Sequence, residues 1–582
     1  MIFLGLILAL LFCGPSLRPS SSISLHKPPH IIYILADDLG WNDVGFHGSN
    51  QIPTPNIDAL AFSGVILNQF YVNHVCSPSR GALMTGLQPI HIGLQNCLIG
   101  HMTPFGLPLQ FRTLPEYLGS SLGYVSRLVG KWHLGSFRQA YTPTFRGFQS
   151  HLGIWNGMTN YFSKRMTCRP NISMGFDFRD GMRVAWEYDG DYATDTFTAE
   201  SLKIIEDHDQ SDPLFLLVSH MAPHGPVQAP NLLLKRFHHL KTKDFPYRHE
   251  LAAGVYALDQ SVGKIVKKLK EKNMLENSII IFSTDNGGAS EGYDFSDGSN
   301  FPLRGMKGNL FEGGVRGVAA IWSPLISKPK RVSRDLIAIQ DLLPTLLSAA
   351  SGHDLSIPKI DGMNVWQTIS KGDPSPRTTV FHGSPTSRLF VAVRHKDWKL
   401  NYGSPFSGAR YTEWFGDSGR NDSKEYNLNA ILSSPTAQAL KSIGYGPPSK
   451  KKILRLRKKS EVLCPLTNDI KKCDALNEYC LFNIVRDPCE RNNLAEEFPQ
   501  ILNDLRKIAL AFQDSAIKGV NTPYDNDADP KYWNYTWTNW RDHLRPQTLK
   551  RVYEIDRAKT RIPTIFDADI QAQFTTSLSS SK

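Results

Sequence analysis

The chain has 582 residues, 41% of them hydrophobic and 20% charged, and carries a formal net charge of +11. That length and balance exclude a disordered chain, a fibrous repeat or a disulfide-held miniprotein, and fit one large and one smaller globular domain. The positive excess favours anionic partners, sulfated glycans among them.

Met1 to Phe12 is an apolar run closed by Cys13, Gly14, Pro15 and Ser16. It is too short to span a bilayer comfortably and reads as a signal peptide over residues 1–24. No later stretch stays apolar long enough to cross a membrane. The expected route is the secretory pathway, ending in the lysosome or outside the cell, which argues against a nucleic-acid partner. That route exposes thiols to oxidation. Besides Cys13 and Cys76 the chain has Cys97, Cys168, Cys464, Cys473, Cys480 and Cys489, an even set that fits a disulfide framework. The last four cluster and are expected to pair among themselves, which leaves Cys97 with Cys168. Asn171, Asn421 and Asn534 each begin an N-glycosylation sequon.

Residues 25–375 read as the larger domain. His30 to Ala36 is a continuous apolar run, β-branched and aromatic, suited to a strand covered on both faces. It stops at Asp37 and Asp38. Two adjacent carboxylates repel each other unless something neutralises them, and a cation is the simplest neutraliser; an ordinary Asp-Asp turn is the alternative. Cys76 to Gly86 reads as a loop entering a helix, with Ser77 as N-cap, Pro78 in the first turn and Gly81 allowing another backbone to approach. Cys76 would then sit at the positive end of a helix dipole, as a candidate activated nucleophile or a buried structural thiol.

The strand grammar recurs. Tyr124 to Val129 ends in Gly130, Lys131, Trp132 and His133; Pro213 to Val218 ends in Ser219, His220 and His224; Ser278 to Ser283 ends in Thr284, Asp285 and Asn286. Helical patterns lie between, at Thr113 to Leu122, Thr196 to Asp207 and Ala252 to Lys272. The alternation predicts an α/β fold, a large and mostly parallel sheet flanked by helices, with polar groups gathered at the carboxyl edge where ligands bind. Phe301 to Arg316 is glycine-rich and reads as a loop folding over a site, with Lys307 as its anion contact. Asp341 to Ala350 is a further helix.

A Pro- and Ser-rich stretch at 374–377 marks a boundary. Residues 376–560 read as a smaller C-terminal α+β domain with an antiparallel sheet, built from short strands at Leu389 to Val393, Trp398 to Asn401 and Leu481 to Ile484 and a helix from Phe498 to Phe512. The basic run through Lys450 and Arg455 to Lys459 reads as a solvated segment or a surface-binding patch. Residues 561–582 are expected to form a disordered tail.

Asp37, Asp38, Asp285 and Asn286 are oxygen donors from two strand ends. That set suits a hard divalent cation, Ca²⁺ more readily than a zinc-type metal, with Mg²⁺ left open. Arg80, Lys131, His133, His224 and Lys307 supply cationic donors for an anionic transition state and a proton for a leaving alcohol. His220 and His224 are four apart but lack the Glu of a zinc-protease helix.

Cys76-x-Pro78-x-Arg80, followed by Thr85 and Gly86, resembles the signature of the sulfatase family within the alkaline-phosphatase-like superfamily. The motifs at His30 to Asp43, Gly130 to Gly135, His224 to Pro230, Thr284 to Gly288 and Pro302 to Arg316 carry the same resemblance, over Pro29 to Asn539. Their wording is most similar to the arylsulfatase B, I and J group. The resemblance implies an enzyme whose Cys76 is oxidised to formylglycine by a formylglycine-generating enzyme and whose hydrate attacks sulfate esters. It implies calcium held by Asp37, Asp38, Asp285, Asn286 and the modified Cys76. Arg80 would stabilise the hydrate, and His133 would take its proton as sulfate is expelled. Lys131, His224 and Lys307 would hold the sulfate and assist the leaving group. The implied substrate is the 4-sulfate of N-acetylgalactosamine in glycosaminoglycans, or related sulfated sugars and aryl sulfates. The cysteine framework departs from that of vertebrate arylsulfatase B and reads as an invertebrate feature. The rival readings are a phosphatase or phosphodiesterase of the same superfamily, and a secreted protein that binds sulfated glycans without turnover.

Overall fold

The computed structural model describes residues 27–95, 98–292, 294–355, 357–384, 390–405, 413, 425–464, 470–519 and 522–543. The leader, Cys97, Asn421 and the tail expected at 561–582 lie outside the described residues.

Five parallel strands form the centre of a ten-stranded sheet. In spatial order they are Ser278–Thr284, His30–Ala36, Leu214–Ser219, Val125–Gly130 and Ser150–Gly153. These strands are apolar because both their faces are covered. Alternation sends Ile32, Ile34 and Ala36 to one face and Ile31, Tyr33 and Leu35 to the other. The first face packs under helices Pro55–Ser63, Ala193–Asp207 and Arg248–Glu271. The second packs under Cys76–Thr85, Leu114–Leu122, Leu342–Ser351 and Trp366–Lys371. Each fully buried Leu or Ile in these layers contributes about 1.5–3 kcal/mol.

The expected mostly parallel sheet therefore holds at the centre, and antiparallel pairs enter on both sides of it, with Arg331–Ser333 parallel again at one edge. Ala319–Trp322 runs against Ser278–Thr284, Val65–Leu67 runs against Ala319–Trp322, and two short strands, Arg179–Asp180 and Arg183–Val184, close the far side. Strands of two to four residues have too little periodicity to read from sequence.

The smaller sheet is antiparallel, with strands Thr379–Ser384, Phe390–His395, Trp398–Tyr402 and Cys480–Asn483 in that order. Helix Pro499–Asp514 covers it through Leu505 and Ala509. The chain between its third and fourth strands returns to the large sheet. Pro435–Ser442 packs on the helices of the first face, and the basic run is a helix, Lys450–Ser460, anchored there by Ile453 and Leu456. Its lysines stay exposed.

Cys464 pairs with Cys489 and Cys473 with Cys480, so the four clustered cysteines do pair among themselves. Cys168 carries a free thiol. Asn171 and Asn534 are exposed. Among the described residues no helix is long and apolar enough to cross a membrane.

Candidate active site

Strand register builds the site. Ala36 pairs with Thr284, Leu35 with Ser219, and Ser219 with Gly130, so four strands end on one line. The residues that follow are Asp37 and Asp38, Asp285 and Asn286, His220, and Lys131. The glycine-rich turns then cross at close range. A Cβ on Gly287 would fall 1.8 Å from the Gly313 carbonyl, so only glycine lets the loop after Asn286 lie against the one that carries Lys307.

Cys76 is the first residue of its helix, and Val75 is the N-cap without a side-chain bond. The expected Ser77 cap is not formed. Ser77 Oγ instead donates to the His133 carbonyl at 3.2 Å and accepts from Ile99 N–H, tying the helix start to two loops. Gly81 admits the side chains of Ile92 and Leu94 rather than a backbone. Cys76 Sγ lies 3.4 Å from Asp37 Oδ1 and 3.9 Å from Asp38 Oδ1. Burial and the Asp285 charge push the thiol well above its ordinary range. An activated thiolate is therefore not what this position makes of an unmodified cysteine.

Three cations brace the carboxylates. Arg80 donates through Nε and Nη2 to Asp285 Oδ2 at 3.0 and 2.8 Å, and through Nη1 to Ser219 Oγ at 2.6 Å. Lys131 Nζ reaches Asp37 Oδ2 at 2.6 Å. Lys307 Nζ reaches Asp38 Oδ2 at 2.7 Å and Asp294 Oδ2 at 2.8 Å. Burial raises Asp37, but Lys131, His224 and Arg80 outweigh it and hold the carboxyl below its usual range. Burial and the Asp37 charge push Asp285 up.

The two site histidines are oriented by backbone carbonyls. His224 Nδ1 lies 2.5 Å from the Gly225 carbonyl, a contact made by an N–H, and its Nε2 lies 3.0 Å from Lys307 Nζ. His133 Nε2 donates to the Ile99 carbonyl at 3.0 Å, and its Nδ1 is buried with no partner among the described residues. Burial, with Lys131 and Arg80 adding to it, drives His133 well below its ordinary value and keeps it neutral. A Cβ on Gly157 would lie 2.6 Å from the His133 ring, so glycine there leaves the imidazole its place. His220 points elsewhere, toward Ser261 Oγ at 3.1 Å.

The cluster could hold a metal ion. Ligand atoms of Asp37, Asp38, Cys76 and His224 lie within 4.8 Å of one another. Asn286 Oδ1 is buried without a partner among the described residues, a costly state for an amide oxygen unless something binds it. Asp285 lies beside them, with its Oδ2 taken by Arg80. His224 is thus grouped with the carboxylates, where sequence reasoning gave it the sulfate and the leaving group. Sequence reasoning put Ser219 at this edge without giving it a role, and it missed Asp294, which no motif marks.

A cleft of 500 Å³ adjoins this cluster, lined among others by Met158, Arg169, Pro226, Asp294 and Phe295. A larger hollow of 620 Å³ near Tyr256 and Tyr426 shares no residue with the cluster.

The family model described as Sulfatase matches residues 29–353. Arylsulfatase J of Mus musculus is 34% identical over 531 residues, covering 90% of this chain and 82% of its own. N-acetylgalactosamine-6-sulfatase of Homo sapiens is 32% identical over 392 residues, covering 64% of this chain and 71% of its own. Among solved structures, Ps i-CgsB in complex with k-i-k-neocarrahexaose superposes with a TM-score of 0.66 at 25% identity, over 90% of this chain and 99% of that one.

Proposed function

The chain belongs to the sulfatase family, a family of sulfuric ester hydrolases, and from that premise we propose that it cleaves sulfate esters of sugars through a formylglycine made from Cys76. The observation that supports this best is the buried setting of Cys76: Sγ against Asp37 and Asp38, themselves held by Lys131 and Lys307. Oxidation of Cys76 by a formylglycine-generating enzyme would put a hydrated aldehyde there, with a hydroxyl to direct at sulfur. Calcium held by Asp37, Asp38, Asp285, Asn286 and the modified residue 76 would polarise a sulfate oxygen.

The chain's own groups do the rest. Lys131 and Lys307 would face the sulfate oxygens with fixed positive charge, which needs no reorganisation as charge shifts. His224 and Lys307, in contact with each other, would supply the proton for the departing alcohol. Arg80, clamped on Asp285, would steady the hydrate. His133, neutral with Nδ1 unpartnered among the described residues, would accept a proton when sulfate departs and the aldehyde returns.

The substrate class we favour is sulfated galactose-type sugars, with N-acetylgalactosamine 4-sulfate units of glycosaminoglycans first, as in arylsulfatase B, and aryl sulfates as surrogates. A relative named N-acetylgalactosamine-6-sulfatase and a structural neighbour holding a hexaose both support a sugar substrate. The compartment consistent with this is the secretory pathway, lysosomal or extracellular. The test is Cys76→Ala. It should abolish hydrolysis of 4-methylumbelliferyl sulfate while thermal unfolding stays cooperative; retained turnover overturns the reading. Faster hydrolysis of the matching phosphate ester by the unaltered protein would favour a phosphatase instead.

A further inference from the structure

Asp294 stands at the join between the buried cluster and the 500 Å³ cleft. Its side chain is 5% exposed. Its Oδ2 accepts from Lys307 Nζ at 2.8 Å and lies 3.5 Å from His224 Nε2. Those are the two groups assigned above to the ester and leaving-group oxygens. Among the described residues that line the cleft, Asp294 is the only carboxylate. The ion pair with Lys307 makes it an acceptor, without a proton to donate.

On the hydrolase reading, the sulfate enters among the lysines and the organic part of the ester fills the cleft. An ionised carboxylate beside the leaving oxygen then meets the atoms next to the sulfated carbon. Lys307 occupies only part of its accepting capacity. A hydroxyl or amide N–H satisfies the remainder. An apolar ring leaves it unsatisfied, and a second anion meets like charge in a water-poor site.

Resting on that reading, we infer that Asp294 is a specificity-determining residue, one that selects esters bearing a neutral hydrogen-bond donor beside the sulfated carbon and rejects those bearing a second anion there. Sites built to receive a substrate N–H or O–H discriminate strongly against analogues that lack it. The rejection of a vicinal anion is a repulsive device of the kind that gives specificity without added affinity.

The experiment compares the full-length protein with Asp294→Asn and Asp294→Ala. The substrates are N-acetylgalactosamine 4-sulfate, N-acetylgalactosamine 3,4-disulfate and 4-methylumbelliferyl sulfate. Asp294→Asn keeps shape and removes charge, which guards against a variant that fails to fold. Its ratio of kcat/KM on disulfate over monosulfate should rise at least about 10-fold. In Asp294→Ala the ratio of monosulfated sugar over aryl sulfate should fall at least about 10-fold. Equal losses on all three substrates overturn the assignment, because a residue that only props Lys307 would lower every rate alike. Turnover of the aryl ester with none of the sugars by the unaltered protein overturns it too. Failure of the unaltered protein on every sulfate ester would instead overturn the hydrolase reading itself.

Discussion

Lys131 Nζ lies 2.6 Å from Asp37 Oδ2, with both side chains fully shielded from water. The two follow strands that are not neighbours, since Leu214–Ser219 runs between them. Removing the lysine leaves a buried carboxylate beside two others. Lys131→Ala should therefore cost about 3–5 kcal/mol of stability. It should also lower sulfate-ester turnover at least about 100-fold, as loss of a preorganised donor does. Urea unfolding and steady-state rates check both. An unchanged unfolding midpoint would show that the pair carries no such load.

Glu312 and Glu490 share the ammonium of Lys399, at 2.9 and 3.0 Å, deep between the two sheets. Burial lifts Glu490 to about 7; Lys399 opposes the rise and Glu312 adds to it. A carboxyl that binds its proton more tightly when folded stabilises fully below its ordinary value and loses that contribution as pH climbs through the folded value. Stability should fall by on the order of 3 kcal/mol as pH rises from about 4.5 to 8. Glu490→Gln should flatten that slope in urea titrations across the same range. Glu312 acts in a separate window. Burial raises it, but Lys399, Arg316 and Arg394 hold it at about 2, so its contribution is lost only as pH falls below its ordinary 4.5.

Arg304 ties the loop of Lys307 to the disulfide-braced segment. Its guanidinium donates to the carbonyls of Glu490 and Cys473, at 3.1 and 3.0 Å, and stacks 4.0 Å over the Phe311 ring. Cys473 is itself a half-cystine, and Glu490 follows one. Arg304→Met should loosen residues 303–311 and speed their amide exchange. Turnover should fall about 10-fold, because misplacing a charged donor by a fraction of an ångström is enough. Exchange rates equal to those of the unaltered protein would refute the coupling.

The parts of this molecule that were legible in the sequence share one physical origin. Buried parallel strands must be continuously apolar, so His30–Ala36 and Ser278–Thr284 announce themselves, and so do the polar residues that interrupt them. Motif spacing then marked Cys76, Arg80, Lys131, His133, His224 and Lys307, which the fold gathers around one cluster. What escaped depends on tertiary approach. Asp294 is an unremarkable residue in an acidic loop until the loop is laid over Lys307. The Ser77 cap failed because Ile99 and His133 claim its hydroxyl. The helix Lys450–Ser460 has a formal charge too dense to look packed, yet Ile453 and Leu456 seat it.

Asn286 Oδ1, buried and unpartnered among the described residues, makes a metal dependence testable without any rate. Calcium should raise the unfolding midpoint, by about 2.7 kcal/mol of added stability at a hundred times its dissociation constant. Chelation should reverse the effect. Asp38→Asn should lose most of it, since one of the cluster's carboxylates is gone. A midpoint indifferent to calcium would contradict the donor set proposed here.

The most direct test weighs the peptide that spans Cys76, taken from protein matured in a secretory pathway and shown to hydrolyse an aryl sulfate. An aldehyde in place of the thiol is the predicted result, seen as one oxygen replacing the sulfur and two hydrogens. A fully unmodified thiol in that active preparation would contradict it.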